Sequence, residues 1–76
     1  MDEKLNDRDC IVKALSSSIR KKRRSIEMSQ EKLAETVGVS RRTIARLEKG
    51  EITLLDLDLV VSIADALELI LIIRMD

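Results

Sequence analysis

Not one Phe, Tyr or Trp occurs in the 76 residues, and with them go the stacking platforms on which single-strand and RNA-binding modules hold unpaired bases. If this chain binds nucleic acid, duplex DNA is the expected form. Histidine is absent too, so acid–base chemistry near neutral pH would fall to strongly shifted carboxylates or lysines. No Ser/His/Asp arrangement, phosphate-binding P-loop or dinucleotide fingerprint is present, and the expectation is a protein that is not an enzyme and needs no cofactor. The single cysteine, Cys10, permits no internal disulfide and, without histidine, no Cys/His metal cluster. A reducing cytoplasm fits that usage, no metal is expected, and Cys10 itself reads as a small, partly buried thiol.

The formal net charge is zero, yet the charges are segregated. Residues 13–50 hold eleven Lys or Arg against four acids, whereas residues 1–12 hold two against four and residues 51–76 one against six. A neutral chain of this kind can still carry a basic face suited to phosphates and an acidic opposite side. The start, MDEKLNDRD, is acidic and polar where a secretory leader would be apolar, so a cytoplasmic location is expected. The most apolar tract, Leu54 to Ile73, is interrupted by Asp56, Asp58, Asp65 and Glu68, which a membrane span would not tolerate. A chain this short makes one small domain, below the size at which a single core is comfortably stable, and association would help it.

The basic centre is also the most patterned part. In SQEKLAETVGVSRRTIARLEKG, residues 29–50, Leu33, Ala34 and Val37 share one helical face and Ile44 and Leu47 share another, so two short helices with one inward stripe each are expected. Gly38 stands where the first must stop and the chain reverse, a place for left-handed backbone. Ser40 precedes the second run as its N-cap candidate. Arg41 and Arg42 then sit at the positive end of a helix, where cations are disfavoured by ~0.3–1 kcal/mol each. A helix end that meets a polyanion removes the misfit, because backbone N–H groups and guanidinium forks suit phosphates and the forks match guanine O6 and N7. The pattern reads as a DNA-binding helix-turn-helix over residues 30–48.

In order and spacing, Gln30, Leu33, Ala34, Gly38, Val39, Ser40, Ile44, Glu48 and Gly50 resemble the lambda-repressor-like, or Xre-type, helix-turn-helix family. The resemblance implies that Arg41, Arg42 and Arg46 face base edges with Thr43 and Ala45 close to the groove, and that Gln30, Ser40 and Lys49 meet phosphates. It also implies a structural ion pair between Arg23 and Glu48. Arg23 lies on the same stripe as Ile19, an odd place for a cation without a partner. The neighbouring Arg20, Lys21, Lys22 and Arg24 read either as a solvated helix face or as one or two further phosphate contacts.

Around this motif, residues 1–8 are expected to be a flexible N-terminus. Asp7 or Asp9 is the candidate cap of a first helix running to about Ile26, with Ile11, Leu15, Ile19 and Ile26 inward. Asp56 is the candidate cap of a fourth helix to about Leu67 with a stripe of Leu57, Val60, Val61, Ala64 and Leu67 that Leu59 and Ile63 widen toward a partner surface. In the final segment, 68–76, the run Leu69, Ile70, Leu71, Ile72, Ile73 favours a strand, although it could instead prolong the fourth helix. A lone strand needs a mate, and two copies pairing antiparallel supply it. The expected fold is mainly α: a four-helix lambda-repressor-like domain over residues 9–67 with a C-terminal β-strand that pairs across a dimer. That layout resembles the HipB-type antitoxins. The resemblance implies a homodimeric repressor of a palindromic operator on double-stranded DNA, bacterial or phage-encoded and nucleoid-associated, with a HipA-like toxin as a second possible partner and no membrane. A module that chiefly neutralises a toxin, a phage repressor and a restriction controller are the alternatives.

Overall fold

The computed structural model describes residues 3–68, and side chains from residue 10 onward. Among the described residues four α-helices follow one another, α1 (Glu3–Ser25), α2 (Gln30–Val37), α3 (Arg41–Glu48) and α4 (Leu57–Ala66), with a 3-10 turn at Leu54–Asp56 ahead of the last. No strand occurs among the described residues. The strand expected over Leu69–Ile73, and its pairing across a dimer, lie outside them. No described helix is long and apolar enough to cross a membrane.

Capping explains why the short central helices start and stop where they do. Ser29, in extended backbone, accepts the Lys32 N–H at 2.9 Å and opens α2, while Ser40 accepts the Thr43 N–H at 3.2 Å and opens α3. Each hydroxyl satisfies a donor that the helix itself cannot. Gly38 ends α2 in the left-handed region, with φ 80°. Ser29 was not singled out from sequence, although a serine directly ahead of Gln30 was the signal available. Helix α1 begins at Glu3, ahead of Asp7 and Asp9. Neither aspartate is its cap, because residues 3–8 contain no glycine or proline to stop a helix.

The core is Ile19 of α1, Leu33 and Ala34 of α2, Ile44 and Leu47 of α3, and Ile63 with Leu67 from α4 and its end. Helix α2 packs on α3 and α4, and α1 on α3. Two expected stripes are rotated. On α1 the buried positions are Ser16, Ile19 and Arg23, whereas Ile11 and Ile26 are exposed. Ile26 falls in the turn beyond the helix end. Cys10, one residue before Ile11, is likewise exposed rather than partly buried. On α4 the buried positions are Val60, Ile63 and Ala64, with Leu67 following, and Leu57 and Val61 face outward. The spacing 60, 63, 64, 67 is the same helical period with its centre moved, the face that packs against α2.

One turn uses an expensive residue. After α1 the chain reverses through Glu27 at φ 56°, with the Met28 N–H on the Arg23 carbonyl and the Glu27 N–H on the Arg24 carbonyl, both 2.9 Å. This is the hydrogen-bond pattern of a helix end that favours glycine. Glu27→Gly is therefore expected to raise stability by up to about 1 kcal/mol, and Gly38→Ala, where an added Cβ meets nothing within 4 Å, to lower it by about 1 kcal/mol through backbone strain alone. Urea unfolding of the two variants checks this, and shifts of the same sign would refute it.

Candidate nucleic-acid interface

Helix α3 divides its residues cleanly. Ile44 and Leu47 are fully buried and anchor the helix to the core, while Arg41, Arg42 and Lys49 are exposed and Thr43, Ala45 and Arg46 half-buried. Together with Gln30 at the start of α2 and Glu51, these outward residues line an open groove of about 740 Å³. All the sequence-expected DNA residues except Ser40 thus gather at one surface. The Ser40 hydroxyl is engaged within its own turn, on the Thr43 N–H and, at 3.0 Å, the Thr43 Oγ1. No acid occupies the first turn of α3, so the positive helix end and the Arg41 and Arg42 charges add.

Beneath the groove, the expected Arg23–Glu48 pair is present and nearly dry, the two side chains 9% and 4% exposed. Arg23 donates from Nε to Glu48 Oε2 at 2.6 Å and from Nη2 to Oε1 at 3.0 Å, a two-pronged contact that fixes both planes. Its Nη1 donates to the Met28 carbonyl at 2.7 Å, tying down the turn between α1 and α2. Glu48 Oε1 accepts a further hydrogen bond from Gln30 Nε2 at 3.0 Å, and Gln30 Oε1 accepts from Arg41 Nη1 at 3.1 Å. A continuous chain therefore runs Arg23, Glu48, Gln30, Arg41, from buried pair to groove. Gln30, expected only to meet phosphate, also orients Arg41. Burial pushes the Glu48 carboxyl upward, but hydrogen bonds from Arg23 and Gln30 and the charges of Arg23 and Arg20 outweigh it and hold the group below its ordinary range.

Arg46 is differently placed. It donates from Nη1 to the Glu51 carbonyl at 2.6 Å and, from Nη1 and Nη2, to the two carboxylate oxygens of Asp56 at 3.3 and 3.0 Å. Asp56 precedes α4, but its side chain makes no cap to that helix. It closes a capping box instead, accepting the Thr53 N–H at 2.9 Å and the Thr53 hydroxyl at 3.1 Å. Thr53-x-x-Asp56 carries the capping-box spacing, a signal the sequence reading passed over. The contact to Arg46 has no local signature, since the two residues are ten apart in sequence. Arg42, by contrast, has no hydrogen-bond partner among the described residues.

The helix-turn-helix family model matches residues 19–69, more than half of the chain and the whole of this site. This chain belongs to the helix-turn-helix family. Its kind is the lambda-repressor-like, or Xre, branch expected from the motif residues. Within the helix-turn-helix family it is similar to a Bacillus subtilis (strain 168) protein named "Uncharacterized HTH-type transcriptional regulator YgzD", with 46% identity over 37 residues. The matched stretch is 49% of this chain and 56% of that protein, so the chain spans just over half the length of the curated relative.

Two outcomes follow from the ion pairs. Replacing Arg23 by Met or Glu48 by Leu singly leaves an unpaired buried charge, at a cost of about 3–5 kcal/mol, whereas the double replacement is expected to cost less than either. A double-mutant cycle in urea tests this, and additive losses would refute it. For Asp56, the hydrogen bonds from Arg46 and the Thr53 backbone pull the carboxyl from 3.8 to about 2. Its contribution is therefore complete above pH ~4 and is lost as pH falls through its folded value. Asp56→Asn is expected to be less stable than wild type at neutral pH, with the difference shrinking toward pH 2. A difference independent of pH would refute the assignment.

Proposed function

We propose that this protein is a sequence-specific, double-stranded DNA-binding transcriptional regulator that acts as a repressor. The observation that carries the reading is the division of α3, with Ile44 and Leu47 fully buried behind a groove lined by Arg41, Arg42, Thr43 and Lys49. Apolar anchors on one side and guanidiniums at the positive helix end on the other suit a helix that enters a major groove. In this reading Arg41 and Arg42 take guanine edges, Thr43 and Ala45 lie against the groove floor, and Gln30 and Lys49 hold phosphates, while Ser40, its hydroxyl engaged with Thr43, serves as the helix cap. The family membership and the printed name of the Bacillus relative support the same reading.

A homodimer on a palindromic operator completes the proposal. Leu54 at 74%, Leu55 at 95%, Leu57 and Val61 expose a run of apolar surface on one small domain, and the chain continues into the apolar Leu69–Ile73. A second copy is the occupant proposed for that surface, and on a palindrome the two recognition helices would have to reach successive major grooves, ~34 Å or one turn of duplex apart. An autoregulating antitoxin of the HipB type, holding a HipA-like toxin, is the second reading, and the same apolar surface favours it because a larger partner also requires one.

Selection from random duplexes at fixed salt is expected to yield a symmetric consensus. Arg41→Ala should relax one base position per half-site by ~1–3 kcal/mol, whereas Lys49→Ala should weaken all sequences evenly and lower the salt slope by about 1. An Arg41→Ala loss that is equal on every sequence removes the base-reading role.

A further inference from the structure

Arg46 points to the same groove as Arg41 and Arg42, yet its guanidinium fork is already filled. Both terminal nitrogens donate to Asp56, and one of them also to the Glu51 carbonyl. The pair is partly shielded, with side chains 36% and 13% exposed. Asp56 is not a mobile acceptor that happened on Arg46. Its carboxylate is anchored independently by the Thr53 N–H and hydroxyl, inside the capping box that opens the 3-10 turn. The segment from Glu51 to Asp56 thus presents two fixed acceptors to one outward arginine.

A guanine edge offers that fork two acceptors of similar spacing but no charge. Moving Arg46 from Asp56 to guanine would exchange an ion pair for a two-pronged contact to uncharged acceptors and leave a carboxylate with Thr53 as its remaining partner. Phosphate could match the charge, but it competes with an acceptor already in place. Arg41 differs in kind, since its partner is the neutral Gln30 amide oxygen and no carboxylate among the described residues pairs with it.

Resting on the DNA-binding reading above, we propose that Asp56 is a specificity determinant: it withholds Arg46 from the bases, so that sequence is read by Arg41 and Arg42, and Arg46 serves to pin the 51–56 segment to the recognition helix. The determinant lies outside the helix-turn-helix, on the turn before α4, and acts by occupying a reader.

The test is selection from random duplexes with wild type, Asp56→Asn, Asp56→Asn/Arg46→Gln and Arg46→Gln, each first checked for folding by circular dichroism. Asp56→Asn keeps an acceptor for Thr53 but loses the charge that holds Arg46. It is expected to gain a guanine preference of roughly 10-fold at one additional position in each half-site, and the Asp56→Asn/Arg46→Gln pair to lose that gain. Should Asp56→Asn not fold, Asp56→Ser takes its place. An unchanged consensus in the released variant overturns the proposal, as does a wild-type base preference that disappears in Arg46→Gln. A wild type that selects no sequence at all removes the operator reading and this inference together. A selective wild type with an unaltered Asp56→Asn consensus removes this inference alone.

Discussion

A guanidinium and a carboxylate almost out of reach of water, Arg23 and Glu48, join the end of the first helix to the end of the third. Taking both charges out of water is costly, and an apolar pair of similar volume could supply comparable stability. What an apolar pair could not supply is direction. The two-pronged contact fixes the rotation of α3 about its axis, and the third Arg23 bond, to the Met28 carbonyl, holds the turn that delivers α2. Glu48 then passes the constraint through Gln30 to Arg41. The outward aim of the recognition helix therefore depends on an interaction beneath it.

The same surface holds its positive charge in two states. Around Arg41, Arg42 and Lys49 the charge is open, because the nearest side-chain partner of Arg41 is an amide and Arg42 has none among the described residues. At Arg46 it is cancelled by Asp56, whose acidity the arginine strengthens. Of the four basic side chains that line the groove, one is thus paired with an acid from the segment that follows the motif.

Much of this was legible in the residues. The two central helices, the left-handed Gly38 and the Ser40 cap depend on neighbours within four positions, where side-chain chemistry acts on the local backbone directly. The inward Ile44 and Leu47 followed from the same short period, and the Arg23–Glu48 pair from resemblance to a family rather than from any local rule. Less legible were the rotations of α1 and α4. The apolar positions of each offered more than one stripe, and only packing against the other helices selected Ser16, Ile19 and Arg23 on one and Val60, Ile63 and Ala64 on the other. A polar Ser16 on a buried face is acceptable because its hydroxyl donates to the Val12 carbonyl at 2.9 Å, a solution that hydrophobic patterning does not anticipate.

By itself, then, the order of amino acids determined where the short helices begin and end, which of their faces turn inward, and that a basic helix end would be exposed. These are consequences of capping, period and charge over a few residues. Tertiary structure alone decided which arginines keep their charge free: Gln30 steadies Arg41 from eleven positions away, and Asp56 engages Arg46 from ten. Such contacts arise only after α2, α3 and the turn before α4 are brought together, because an ion pair between distant residues is specified by the distance between them in space and has no period to betray it in sequence.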